Sequence, residues 1–177
     1  MQLTDSLKSL IRDVPDFPKP GIVFKDITPL LNDPQIAREV VEALAAPYYV
    51  KEVDAIAAIE ARGFLFGFLL AQELKVPFIP IRKEGKLPYK KVTEKYALEY
   101  GTAIIEMHED AVKKDWQVLI HDDLLATGGT ANAAAQLIQR LGGKVLGFSF
   151  IVNLEFLKGR RMLERKYNCT TGYLIEY

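Results

Sequence analysis

The sequence predicts a single α/β domain, residues 1–177, with a mostly parallel central sheet flanked by helices on both faces. Apolar runs suited to buried strands alternate along the chain with segments whose apolar residues recur at helical spacing. This alternation is typical of parallel sheets, which bind ligands at the carboxyl ends of their strands. A chain of 177 residues can bury the core of one such domain and is too short for two domains of ordinary size.

The N-terminal part begins with an amphipathic helix and continues into a segment broken by prolines. Leu3, Leu7 and Leu10 recur at helical spacing. Residues 14–29 carry four prolines and several large apolar side chains, which favour a rigid lid without regular secondary structure. A connecting loop that its aromatic residues hold against the core explains the same composition.

Two strand-loop-helix turns carry residues suited to anionic or sugar ligands. The first follows an apolar strand and places Arg62 and Gly63 at its carboxyl end. The second follows the strand residues 118–120, which lead into Asp122 and Asp123. Two carboxylates there can accept hydrogen bonds from a ribose diol and favour positive charge on the sugar ring. The alternative for the arginine is a surface position at a helix start, where the helix dipole disfavours a cation.

A loop of small residues follows the two acids and opens a helix. It comprises Ala126, Thr127, Gly128, Gly129 and Thr130. Glycines allow positive φ and close approach to a ligand, and free backbone N–H groups at a helix N-terminus bind anions. The predicted anion is a phosphate, and the absence of a following lysine excludes a Walker nucleotide loop. An ordinary turn with solvated acids and a threonine cap is the alternative.

The most basic run in the chain begins at Arg82 and extends to Lys95. A Gly-Lys-Leu-Pro sequence interrupts it, which favours a long loop. Long loops tend to be functional, so a mobile basic loop beside an anion site is the first interpretation. A solvated charged face is the alternative.

The segment from Val118 to Thr130 resembles the phosphoribosyl diphosphate (PRPP) signature of the type I phosphoribosyltransferases. Its Asp-Asp-Leu-Leu-Ala-Thr-Gly-Gly-Thr core is close to the form found in the adenine-specific members. The resemblance covers essentially the whole chain and implies the type I phosphoribosyltransferase fold. It also implies an N-terminal helix and base-covering hood over residues 1–33 and a flexible catalytic loop over residues 82–98.

The resemblance further implies a role for each candidate site residue. The catalytic residues are Glu99, Asp122 and Asp123. The residues expected to hold the 5′-phosphate of PRPP are Ala126, Thr127, Gly128, Gly129 and Thr130. Those expected to hold its diphosphate are Arg62, Gly63, Arg82, Lys83 and Lys86. Those expected at the adenine are Val23, Phe24 and Lys25. His121 stands where the family usually has an aliphatic residue, and it is given no role.

The implied reaction converts adenine and PRPP into AMP and diphosphate, a purine-salvage step. Mg²⁺ is the implied cofactor, held mainly by PRPP oxygens and water rather than directly by protein. The family suggests a homodimer, in which some loop cations act across the subunit interface. A transferase for 6-oxopurines, a regulatory PRPP-binding protein and a structural interaction protein are the alternatives. The hood sequence disfavours the first, and the presence of Glu99 and the basic run disfavours the second.

The composition and the N-terminal sequence argue against several other classes of protein. Lys plus Arg and Asp plus Glu each number 23, so zero net charge gives no reason to expect binding to nucleic acid or to a membrane. One cysteine, Cys169, and two distant histidines offer neither an internal disulfide nor a zinc site. The N-terminus lacks the basic and apolar pattern of a signal peptide, so we expect a cytoplasmic protein.

Overall fold

A seven-stranded sheet lies at the centre of the molecule, which a computed structural model describes for residues 3–97 and 101–177. The strands, including two that form a separate ribbon, are β1 (Arg12–Pro15), β2 (Val23–Asp26), β3 (Ala55–Ile59), β4 (Phe78–Lys83), β5 (Lys91–Ala97), β6 (Thr102–His108), β7 (Gln117–Leu125), β8 (Lys144–Asn153) and β9 (Thr170–Glu176). The large sheet has the order β5-β6-β4-β3-β7-β8-β9. Strands β4, β3, β7, β8 and β9 pair in parallel, whereas β6 pairs antiparallel with β4 and β5.

Helices cover both faces of this sheet. The described α-helices are α1 (Leu3–Leu10), α2 (Pro34–Ala45), α3 (Arg62–Leu74), α4 (Gly129–Arg140) and α5 (Gly159–Tyr167). Ile56 of β3 packs into one core with Phe66 of α3, whereas Ala57 belongs to the opposite core with Ile138 of α4. This arrangement follows from the alternation of side chains along a strand. The predicted α/β fold, with a mostly parallel sheet between helices, is confirmed. None of the described helices is long and apolar enough to cross a membrane.

The proline-broken N-terminal segment forms an antiparallel ribbon, so the expectation of no regular structure there was wrong. Val14 of β1 pairs with Phe24 of β2, and the turn between the strands contains Gly21 at φ +86°. Phe17 and Phe24 meet edge to face, with ring centroids 5.1 Å apart. The ribbon tolerates its prolines because Pro15 ends the first strand and two others lie in the turn, where no ladder hydrogen bond is needed.

Much of the segment 82–98, which was expected to form a flexible catalytic loop, belongs to strands. Arg82 and Lys83 belong to β4, and β5 begins at Lys91, so the irregular part is 84–90. The lysines of β5 concealed the alternation of a strand. Lys91 and Lys95 occupy exposed positions, whereas Val92 and Tyr96 pack against the core that includes residues of α4. Residue 98 and the candidate residue Glu99 lie outside the described residues.

Strand β7 continues past its two acids. Leu124 and Leu125 pair with Val152 and Asn153 of β8, so Asp122 and Asp123 are part of the strand rather than the residues that follow it. The strand continues because these leucines are apolar partners for the neighbouring strand. Strand β9 forms the other border of the sheet and pairs in parallel with β8.

Candidate functional site

The acids and the predicted diphosphate arginine meet where β3 and β7 run side by side. Ala58 of β3 pairs with His121 of β7, so the residues that follow each of them lie at the same sheet edge. Arg62 at the start of α3 places its Nε atom 3.0 Å from Oδ2 of Asp123. The structure therefore brings together two elements that the sequence placed at separate strand ends.

Gly63 allows α3 to approach the acidic strand. A Cβ atom at this position would lie 2.8 Å from Oδ1 of Asp122 and 3.1 Å from its Cα atom. The same Oδ1 atom accepts a hydrogen bond of 2.9 Å from the Asp123 backbone N–H. Any side chain at Gly63 would therefore displace a carboxylate of the site.

Burial makes it hard to ionise the two neighbouring carboxyl groups. It raises the pKa of Asp122 well above its ordinary value, and the charge of Asp123 raises it further. Burial also raises the pKa of Asp123, and the nearby Arg62 guanidinium opposes that rise. The site thus holds two acids and one cation, and positive charge that develops beside the acids would be stabilised.

The loop of small residues forms a cavity beside Asp122. The cavity has a volume of about 70 Å³, and its lining includes the acid itself, residues 126–130 and Phe150. Gly128 has φ +84°, and α4 begins at the next residue, Gly129. The loop, the helix N-terminus and one acid therefore surround a single small space of the kind that an anion occupies.

Gly159, which the sequence interpretation missed, supports this loop from behind. A Cβ atom there would lie 2.2 Å from the Ala126 carbonyl oxygen and 2.9 Å from the Gly128 nitrogen. The start of α5 consequently packs directly against the backbone of the loop. The sequence marks 159 only as one glycine before a helix, and the contact becomes evident only in three dimensions.

Glu60, at the carboxyl end of β3, binds cations at the end of β4 and on the loop 84–90. Its carboxylate accepts hydrogen bonds from Arg82 Nε at 3.1 Å, Lys86 Nζ at 2.7 Å and the Lys83 backbone N–H at 3.0 Å. Burial would raise the pKa of Glu60, but these hydrogen bonds outweigh burial and lower the pKa to about 2. The sequence interpretation missed this residue, although an acid directly before Ala61 and Arg62 was a usable signal.

A second buried acid anchors the loop between β4 and β5. Glu106 of β6 accepts hydrogen bonds from the backbone N–H groups of Lys86 and Leu87 at 2.9 and 2.7 Å. Its other carboxylate oxygen lies 2.9 Å from Lys91 Nζ. The loop 84–90 is therefore fixed at its base, while the side chains of Lys83 and Lys86 reach solvent.

Strand β2, which belongs to the segment predicted to form the hood, contacts the site through Phe24. The guanidinium carbon of Arg62 lies 4.4 Å from the centre of the Phe24 ring, so one arginine contacts both the hood and Asp123. On β2, Val23 and Lys25 border a separate cavity of about 480 Å³, whose far wall includes Leu154. The lining of this cavity includes neither Phe24 nor Arg62, so the cavity is distinct from the site that contains the arginine and the acids.

His121 is fully buried beside the acids. Its Nδ1 atom lies 3.3 Å from Ser149 Oγ, and burial lowers the pKa of the imidazole to about 3. The ring is therefore neutral at physiological pH. Within 3–97 and 101–177, no group of three or more His, Cys, Asp or Glu side chains is arranged to hold a metal ion.

Comparisons with known proteins agree on one family. The model of the phosphoribosyl transferase domain matches residues 27–176. An adenine phosphoribosyltransferase of Cytophaga hutchinsonii is 52% identical over 175 residues, which cover 99% of this chain and 96% of that protein. The crystal structure of adenine phosphoribosyltransferase from Thermoanaerobacter pseudethanolicus is 48% identical, with a TM-score of 0.94 and coverage of 99% of this chain and 100% of that one. The Saccharomyces cerevisiae enzyme, complexed with an imino-altritol bisphosphate and adenine, is 36% identical, with a TM-score of 0.89 and coverage of 97% and 98%.

Proposed function

The chain belongs to the adenine phosphoribosyltransferases of the phosphoribosyl transferase family, and we propose that the site described above carries out their reaction. The reaction converts adenine and PRPP into AMP and diphosphate, which makes the enzyme a pentosyltransferase of purine salvage. The observation that carries the proposal is the convergence of Arg62, Asp122 and the loop 126–130 at one sheet edge. These are the groups that a phosphorylated ribose with a diphosphate substituent requires.

We assign the PRPP contacts from this convergence. The cavity formed by Ala126, Thr127, Gly128, Gly129 and Thr130 would hold the 5′-phosphate. Asp122 and Asp123 would accept hydrogen bonds from the ribose hydroxyls. The diphosphate would lie against Arg62 and Gly63, with Arg82, Lys83 and Lys86 approaching it from the catalytic loop. Charged hydrogen bonds of about 1.5–3 kcal/mol each would supply the affinity.

Catalysis then reduces to alignment and charge stabilisation. Purine N9 would attack ribose C1′ as diphosphate leaves, and the ring would acquire oxocarbenium character in the transition state. The carboxylates of Asp122 and Asp123 would stabilise this positive charge, and the loop cations would stabilise the leaving group. Glu99 remains our candidate for proton transfer at the purine, although it lies outside the described residues.

We propose that the hood strand selects adenine. Val23 and Lys25 would read the edge of the base through their backbone groups, while the Phe24 ring contacts its face. A backbone carbonyl can accept a hydrogen bond from the 6-amino group of adenine. It would face the 6-oxo group of hypoxanthine or guanine as acceptor against acceptor, a penalty of about 1–3 kcal/mol for each unpaired group.

Mg²⁺ would arrive with PRPP rather than in a protein cage. The nearest carboxylates, Asp122 and Asp123, have raised pKa values, and the latter is already paired with Arg62. This donor set suits hydrogen bonds to the ribose and to metal-bound water better than direct ligation of a metal. The ion would neutralise part of the diphosphate charge.

We also propose a homodimer and a cytoplasmic location. Helix α3 exposes Leu65, Phe68 and Leu69 by 39, 50 and 40% in the single chain, and a second subunit would cover such an apolar face. The lone cysteine, Cys169, suits a reducing compartment.

An assay with each base supplied separately tests this function. Purified protein with PRPP and Mg²⁺ should release diphosphate and form AMP from adenine, and should form no nucleotide from hypoxanthine or guanine. Asp122→Asn and Asp123→Asn should each lower kcat/KM at least about a hundredfold. Formation of IMP or GMP instead would contradict the proposed role of the hood. PRPP binding without any turnover would favour a regulatory protein.

A further inference from the structure

The hood ribbon contacts the body of the protein on both sides of β2. On one side the Phe24 ring contacts Arg62. On the other side Lys25 extends its ammonium group 3.7 Å above the centre of the Tyr177 ring, and only 11% of the lysine side chain is exposed. The strand proposed to read the purine is therefore held between two cation–ring contacts.

Only one of the two Lys25 contacts can tie the hood to the body. Its Nζ atom also lies 2.7 Å from Oδ1 of Asp13, but Asp13 belongs to β1 of the same ribbon and is 57% exposed. Because both partners belong to the ribbon, that ion pair cannot fix the ribbon to the rest of the protein, and solvent weakens it. The aromatic contact instead joins the ribbon to a part of the chain outside it.

Tyr177 is itself fixed to the central sheet. Its backbone N–H donates to the Asn153 carbonyl at 3.0 Å, and its carbonyl accepts a 3.0 Å hydrogen bond from the Glu155 N–H. Both partners lie at the end of β8 or just after it, beside Leu154. Because the backbone of Tyr177 is fixed to the sheet, its ring can hold Lys25 at a constant distance from the sheet. The cation–ring attraction is stronger when the cation is desolvated.

We propose that Tyr177 is a positioning residue for the purine. Its ring holds the Lys25 side chain and thereby fixes the backbone of β2 at the distance from which Val23 and Lys25 read the edge of adenine. The inference rests on the proposed function, because it assumes that the hood covers the base. Backbone recognition requires such support, since recognition groups must be held within about 0.5 Å of their productive geometry.

Two substitutions at Tyr177 distinguish the effect of the aromatic ring from the effect of side-chain size. Tyr177→Leu keeps an apolar side chain but removes the aromatic face, and it should raise KM for adenine about fivefold to twentyfold. KM for PRPP and kcat at saturating adenine should stay within about twofold of the parent values. Tyr177→Phe keeps the ring and should behave like the parent. Lys25→Met should raise KM for adenine as Tyr177→Leu does, and the double variant should add little more.

A second measurement reports on the hood without turnover. Hydrogen exchange of the backbone amides in residues 12–26 of the free protein should be faster in Tyr177→Leu than in the parent or in Tyr177→Phe. Unchanged exchange with unchanged KM for adenine would overturn the proposal, as would an equal rise in KM for both substrates. If the parent forms no AMP, the proposed function fails, and the exchange result still decides whether Tyr177 tethers the hood.

Discussion

The Nε atom of Arg62 lies 3.0 Å from Oδ2 of Asp123, while the guanidinium of the same arginine rests on the Phe24 ring. One cation thus connects an acid on the central strand β7 to the hood. Because the arginine opposes only part of the effect of burial, the pKa values of Asp122 and Asp123 remain raised. Two buried acids beside a single cation therefore lower the stability of the protein when no substrate supplies further positive charge.

The first prediction concerns this loss of stability. The raised pKa of Asp122 means that the folded protein binds a proton more tightly than the unfolded chain, so stability falls as pH rises above the ordinary aspartate value. Asp122→Asn should lower kcat/KM at least about a hundredfold yet raise Tm at neutral pH, by about 2–4 °C for each 1 kcal/mol of destabilisation that it removes. Thermal unfolding at several pH values measures the effect. The exposed Asp110→Asn serves as control, and a lower Tm for Asp122→Asn would contradict this account.

The second prediction concerns the support of the phosphate loop. A Cβ atom at Gly159 would overlap the Ala126 carbonyl oxygen, so Gly159→Ala should displace the loop and raise KM for PRPP by at least about tenfold. KM for adenine should change much less. Steady-state kinetics with each substrate varied in turn would measure both constants.

A matched control for this variant is Gly172→Ala. A Cβ atom at Gly172 would make only ordinary contacts, the nearest being 3.6 Å from the Tyr48 hydroxyl. That substitution should leave both KM values unchanged. If Gly159→Ala also leaves KM for PRPP unchanged, α5 does not determine the shape of the loop.

The third prediction concerns Glu60 and the loop cations. Its pKa of about 2 lies below the ordinary value, so its contribution to stability is fully present above about pH 4.5 and is lost as pH falls toward 2. Glu60→Gln should lower the free energy of unfolding by about 1–3 kcal/mol at neutral pH and raise KM for PRPP, because Arg82 and Lys86 lose their shared partner. Chemical denaturation and kinetics test the two effects.

The control for Glu60 is a glutamate on the loop 84–90 itself. Glu84 is exposed, and Glu84→Gln should leave both stability and KM for PRPP unchanged. Tighter PRPP binding in Glu60→Gln would show instead that Glu60 competes with the diphosphate for the cations.

The fourth prediction concerns the buried histidine. Burial lowers the pKa of His121 to about 3, so the unfolded chain binds the extra proton first and stability falls as pH drops below about 6.5. Between about pH 7 and about pH 4.5 this group should remove about 2–3 kcal/mol of stability. His121→Leu should lose correspondingly less over that range in denaturant titrations. Parallel pH profiles for the two proteins would exclude His121 as the cause.

The sequence was sufficient to predict that candidate residues meet at one sheet edge where they lie at or directly after the ends of strands. Arg62 and the loop 126–130 each follow an apolar strand and Asp122 lies near the end of one, and parallel strands bring their carboxyl ends to one edge. The order of the strands was not predictable, because the apolar sequences of β3 and β7 contain no signal that these two strands are neighbours. Their pairing, and with it the contact between Arg62 and Asp123, required the structure.

The errors arose where one local signal masked another. Prolines concealed the β1–β2 ribbon, although they occupy positions that need no ladder hydrogen bond. The lysines of β5 concealed this strand, because their charges favoured a solvated loop although exposed and half-buried side chains alternate along it. Gly159 and Glu60 were missed since their importance depends on contacts with segments distant in sequence. The role predicted for Glu99 stays a prediction.

Strand β5 forms one border of the large sheet, with β6 on its inner side. A border strand exposes backbone groups that could recruit the strand of another molecule and start aggregation. Here Lys95 projects from an exposed position, and Arg140 of α4 donates a 2.6 Å hydrogen bond to the Thr93 carbonyl, which removes one free acceptor. The charges that made this segment resemble a loop therefore also protect the folded protein from edge-to-edge polymerisation, so substitutions that neutralise them would lower its solubility.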